Sequence, residues 1–184
     1  MKRIIISIFT ILLINSCASK TGKLELKNKF SDKILTANGF DNLELGIPFK
    51  VIKTKFSNYN FHEEPDFWGY IFTDSNSTFK LFLTVYNDTL QGITVTDTNF
   101  ILFNGLKVGD GILNIKKLYP TIPLIFNHHD DAEQFLIHNI NNYVLIDIES
   151  DSNKLLGCYK NDFPDSTYEY SVKGKITSIG IFRK

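Results

Sequence analysis

Only two cysteines, one methionine and one tryptophan occur in 184 residues. With Cys17 given the role argued below, Cys158 is the sole free thiol. That excludes an intramolecular disulfide and leaves packing to hold the fold. The sequence also lacks an excess of either charge. Of its 20 Lys and Arg residues, Lys2 and Arg3 depart with the leader, so 18 face 20 Asp and Glu and the mature formal charge is −2. Such a balanced surface offers no electrostatic footprint for nucleic acid. No apolar run approaches the roughly 20 residues a membrane-spanning helix needs. No G-x-S-x-G, H-E-x-x-H, P-loop or dinucleotide fingerprint is present, so the expectation is a non-enzymatic protein without a cofactor. Apolar residues are plentiful: 43% of the chain is hydrophobic and 14% aromatic, too much for a disordered chain and ample for a core.

The N-terminus has the layout of a secretory signal. Lys2-Arg3 is followed by an eleven-residue apolar stretch, Ile4 to Ile14, and then by Asn15-Ser16-Cys17. Ile14-Asn15-Ser16-Cys17 resembles the lipobox of bacterial lipoproteins, whose cysteine is acylated and becomes the new N-terminus. The resemblance implies lipidation (palmitate among the acyl chains) at Cys17, a signal peptide over residues 1–16, and a mature protein held on a membrane. One acyl chain binds reversibly and two or three bind stably. Residues 17–40 carry Lys20, Lys23, Lys27, Lys29 and Lys33 against Glu25 and Asp32, and read as a basic tether beside the anchor. No acidic run follows Cys17, which favours the periplasmic face of the outer membrane over export to the cell surface.

Beyond the tether, residues 41–184 read as one domain built from two repeats, about 41–104 and 105–184. At an offset of 63 residues, Leu43 meets Leu106, Gly46 meets Gly109, Phe49 meets Ile112, Ile52 meets Ile115 and Phe56 meets Tyr119. The spacings of three and four predict two amphipathic helices, the first opening at Pro48 and the second closing before Pro120. Period-two alternation then predicts strands over 68–73, 79–86, 93–96, 134–139, 143–149 and 176–182, with turns at Asn87-Asp88 and Asn141-Asn142. An acidic insertion, 150–170, interrupts the second unit. The expected class is therefore α+β, two tandem helix and antiparallel-meander units with helices on one face of the sheet. On the paired Leu43-x-Leu45-Gly46 and Leu106-x-Val108-Gly109 segments, the chain resembles the β-lactamase inhibitor protein family and the related small lipoprotein of the outer-membrane barrel assembly machine. That resemblance implies a sheet face open to protein partners and no enzymatic activity.

Three functions follow from these features. The first is an envelope lipoprotein acting as a non-enzymatic protein-binding or scaffold module through the open sheet face. Strand parity places Phe82 and Tyr86 opposite Leu81, Leu83 and Val85, and Tyr143 and Leu145 opposite Val144 and Ile146. Trp68 and Tyr70 join them as candidates of undecided parity. The second is an anchored inhibitor or immunity protein against a toxin or hydrolase. The third is a metal-dependent enzyme using His128, His129, Asp130, Asp131 and His138. Adjacent histidines on an extended segment point to opposite sides, so only one of His128 and His129 can join His138, and no metal is expected. Asp147-x-Glu149-x-Asp151-x-Asn153 has the alternate spacing of a calcium loop, but Ser152 and Cys158 occupy the positions that need Gly and Glu.

Overall fold

Alternating apolar residues build the longest strands of the fold. The computed structural model describes residues 33–40, 42–65, 68–128, 131–139, 141–150, 154–159 and 166–184. The segment expected to be a signal peptide, Cys17 and most of the expected tether lie outside the described residues. In chain order the elements are β1 (Ile34–Thr36), β2 (Gly39–Phe40), β3 (Leu43–Glu44), α1 (Phe49–Lys55), β4 (Asn60–Glu64), β5 (Gly69–Thr73), β6 (Lys80–Tyr86) and β7 (Thr89–Val95). They continue with β8 (Ile101–Leu102), α2 (Ile112–Leu118), β9 (Leu124–Asn127), β10 (Ala132–His138), β11 (Asn142–Ser150), β12 (Ser166–Thr167) and β13 (Gly174–Arg183).

The large sheet has nine strands in the order β12-β9-β10-β11-β13-β7-β6-β5-β4. Its inner face carries the residues that parity selects: Leu81, Leu83, Ile93, Val95, Val144, Ile146, Ile179 and Ile181 are all buried. The β6–β7 hairpin closes through Asn87 and Asp88, whose φ angles of 49° and 54° suit the two-residue turn that matches strand twist. A second sheet, β3-β2-β1-β8, lies over the inner face. Aromatic rings join the two layers: Phe40 meets Phe100 at 5.0 Å, Phe100 meets Phe79 at 6.2 Å, and Phe79 meets Phe72 at 5.8 Å. Pairs of this kind contribute about 0.5–1.5 kcal/mol each beyond their buried area.

Both helices bury the side chains their periodicity selects. Phe49, Ile52 and Phe56 are buried in the first, Ile112 and Ile115 in the second, and Tyr119 is partly buried. Gly46 and Gly109, one turn before each helix, have φ of +87° and +91°, a conformation that favours glycine. Phe49 stacks on Tyr70 at 4.3 Å, which fixes α1 against the sheet.

The expected class is nevertheless corrected. The described residues form thirteen strands and only two helices of seven residues each, so this is a predominantly β protein of two sheets and not an α+β fold of tandem helix-covered units. The reason is dimensional. Seven residues make a helix about 10 Å long, whereas nine strands side by side span about 38 Å. Two such helices cannot form a covering layer, and a second sheet forms it. Neither helix has sequence support for greater length: α1 contains the β-branched Val51, Ile52 and Thr54, and Pro120 stops α2.

Two segments join the core where charge and turn residues had hidden it. The last part of the tether forms β1 and β2, with Leu35 and Phe40 fully buried. Within the 150–170 insertion, β12 pairs with β9 at the edge of the large sheet, and residues 156–159 pack on the inner face, where the Glu133 carboxylate accepts the Leu156 and Gly157 N–H groups at 2.7 and 2.8 Å and the Tyr159 hydroxyl at 2.8 Å.

Candidate functional site

Strand register carries a continuous row across the outer face of the large sheet. Ile71, Phe82, Thr94, Gly180, Leu145 and Leu136 stand opposite one another on six neighbouring strands. Beside it runs a second row of Gly69, Thr84, Gly92, Phe182, Tyr143 and His138. The side chains of both rows are mostly half-buried, the state of a surface layer resting on a sheet.

Phe182 is the centre of this surface. A Cβ at Gly92 would stand 2.4 Å from its ring, and a Cβ at Gly180 would also stand 2.4 Å from it, so the ring lies flat over both glycines. Only residues without side chains at those two positions leave room for it. Tyr143 then stacks on Phe182 with centroids 5.4 Å apart and planes 19° from parallel. Two strands away the Lys80 ammonium lies 4.5 Å from the centroid of Phe82, which places a cation over the aromatic row. Polar groups border the rows: Ser178 donates to the Asp147 carboxylate, and His62 and Glu64 pair at 3.7 Å on the edge strand β4. The centre is apolar and flat, the margin polar and charged.

Of the residues expected on a partner-binding face, Phe82, Tyr143 and Leu145 lie together on the outer face of the large sheet, and Tyr86 stands at the β6 end, 57% exposed. Trp68, 72% exposed, occupies the turn before β5 with φ of 52°. Tyr70 does not join them. It pairs with Leu83 on the inner face and packs against Phe49 and the core.

The histidines are not brought together. His138 pairs with Tyr143 on the outer face, whereas His128 packs its ring on Phe126, which pairs with Glu133 on the inner face. Among the described residues, no group of three or more His, Cys, Asp or Glu side chains is placed to hold a metal ion. His129, Asp130, Asp151 and Asn153 lie outside the described residues. Cys158 is an exposed free thiol. A polar cleft of about 870 Å³ opens elsewhere, beside β3, where Arg183 and Lys184 face Asn38, Glu44 and Asn142.

No family model matches the chain, and no curated protein does. Among solved structures it is similar to the crystal structure of the uncharacterized protein yfeY from Escherichia coli. The two are 13% identical, the match covers 82% of this chain and 99% of that one, and the TM-score is 0.46.

Sequence reasoning missed Phe182, Ile71 and Leu136. The signal for Phe182 was present: parity opposite Ile181 turns it outward, and Gly180 and Gly92 open the sheet surface beneath it. Ile71 and Leu136 follow from their cross-strand partners, Phe82 and Leu145, once register is known.

Proposed function

We propose that this protein is an envelope lipoprotein, anchored through acyl chains on Cys17, that binds a protein partner through the outer face of the large sheet and performs no covalent chemistry. One observation carries the reading. An antiparallel sheet with one solvated face ordinarily alternates apolar-in with polar-out, yet here two adjacent outward rows hold Ile71, Phe82, Leu145, Leu136, Phe182 and Tyr143. An aromatic centre with a polar rim is the composition of a protein interface. Leu156 and Tyr159 of the 150–170 insertion lie against the opposite face, and the side chains of these rows are mostly half-buried. The lipobox-like Ile14-Asn15-Ser16-Cys17 supports the anchor, and the absence of an acidic run after it supports the periplasmic face of the outer membrane.

The test pairs binding with stability. Phe82→Ala combined with Tyr86→Ala is expected to change unfolding free energy by no more than about 1 kcal/mol, as for surface positions. It should also sharply reduce the partner cross-linked to the wild-type protein in its native envelope. A loss of several kcal/mol, the cost of truncating buried aromatics, would make the face a second core and remove the proposal.

A further inference from the structure

We infer that the outer face of the small sheet, at Ile34, Ile101 and Phe103, seats on the anchoring membrane and turns the partner-binding face toward the aqueous compartment. The inference rests on acylation of Cys17. Three large apolar side chains are exposed together here: Ile34 at 46%, Ile101 at 43% and Phe103 at 47%. They are neighbours by strand geometry. Ile34 and Ile101 are partners in the parallel β1–β8 ladder, and the Phe103 N–H donates to the Leu35 carbonyl at 2.8 Å. All three alternate with Leu35 and Leu102, which are buried beneath them, so parity directs them away from the protein.

A cation borders this patch. Lys107 is bridged to Ile101 across an antiparallel contact and shares its side, whereas Lys33, of the same parity as Leu35, turns its ammonium toward the buried Phe100 ring, 5.6 Å from its centroid. The nearby acid, Asp110, accepts the Lys107 N–H at 3.1 Å through Oδ2, and Glu44 stands on β3, the far edge of the same small sheet. An apolar patch with Lys107 at its rim matches an anionic lipid surface, where a lysine stem lies on the apolar layer and its ammonium reaches phosphates.

The path of the chain selects lipid as the occupant. Fifteen residues, 18–32, separate Cys17 from Lys33, and Lys20, Lys23, Lys27 and Lys29 lie among them against Glu25 and Asp32. Their greatest reach is about 50 Å, and the first described strand they deliver is the one carrying Ile34. A membrane-held anchor therefore keeps the domain near the bilayer at high effective concentration, with β1 the described strand nearest the anchor in sequence. Because the small sheet covers the inner face of the large sheet, its outer side points opposite to Phe182 and Phe82.

The test uses the mature acylated protein in vesicles of phosphatidylethanolamine and phosphatidylglycerol. Phe103→Cys and Phe82→Cys, each combined with Cys158→Ser, carry an environment-sensitive fluorophore, and the vesicles carry acyl-chain nitroxides. The label at 103 should shift to the blue and lose at least half its intensity to the nitroxides, while the label at 82 keeps its aqueous spectrum. Amide hydrogen exchange on the unsubstituted protein should slow across 101–107 when vesicles are added. A label at 103 that stays in water, with exchange unchanged, overturns the inference and leaves the anchor standing. A mature N-terminus without acyl chains by mass spectrometry overturns both. Concentration-dependent protection of 101–107 without vesicles would give the face to a second copy of the chain and also overturn the inference.

Discussion

Glu133 shows how one side chain ties an insertion to the sheet. It is 5% exposed and accepts three hydrogen bonds from residues more than twenty positions downstream. Glu133→Ala strands two backbone N–H groups and a phenol, and unsatisfied buried donors cost about 1–3 kcal/mol each. A loss of about 3 kcal/mol in urea unfolding is expected, allowing for partial rescue by water. The Leu156 and Gly157 amides should exchange well before global unfolding. Tyr170 provides a pH test. Burial raises its phenol above the ordinary value of 10.0, while its hydroxyl donates to the Ile122 carbonyl at 3.2 Å and the Lys116 ammonium sits 4.6 Å from its ring centroid. A pKa raised by folding means that the protonated form stabilises the native state. That contribution is fully present below pH 10 and is lost as pH rises through the folded value. Melting temperature should fall above pH 10, and Tyr170→Phe should fall less steeply over the same range.

At the scale of elements, the β6–β7 turn is the clearest local code. Asn87 and Asp88 both take positive φ, and the Asp88 carbonyl accepts the Phe49 N–H at 2.7 Å, which docks the turn on the start of α1. Asp88→Gly is expected to keep or raise stability by up to about 1 kcal/mol, since glycine adopts this conformation without strain. Asp88→Val should lose about 1–2 kcal/mol, because a β-branched side chain tolerates the left-handed backbone far less well than aspartate does; urea midpoints would read both. This hairpin, β11 and the two helix faces were legible because their apolar residues recur with a clean period. The edge strand β4 was not: in Asn-Phe-His-Glu-Glu only Phe61 packs against the core, and one apolar residue makes no period. The strands of the small sheet are two or three residues long, so each shows one or two inward side chains and no alternation. β9 was hidden by the polar His128 to Asp131 that follows it. The α+β expectation fails for a related reason: periodicity marks a helix's buried face but not its length, and seven-residue helices cannot cover a nine-stranded sheet. The outward side of Phe82, Tyr143 and Leu145 was legible from strand parity, whereas Tyr70 needed the contact with Phe49 to assign its side.

Across the whole molecule, the strand nearest the C-terminus occupies the middle of the large sheet. β13 makes nine residue pairs with β11 and four with β7, and its Ile176, Ile179 and Ile181 are buried. Deleting residues 174–184 removes the only strand joining β4–β7 to β9–β12 in the described sheet. The expected outcome is loss of a cooperative thermal transition by calorimetry, not a modest fall in melting temperature. Pairings between strands so distant in sequence also place folding in the slow, millisecond-to-second regime. The same placement gives the protein a test of its own completeness. Phe182, the plate at the centre of the outer face, is carried by β13 and lies over Gly92 of one neighbouring half and beside Tyr143 of the other. A chain cut before β13 would therefore lack this plate and could not form the intact outer face. It would instead expose unpaired edges at β7 and β11, the mark by which a protease or holding chaperone recognises a faulty chain.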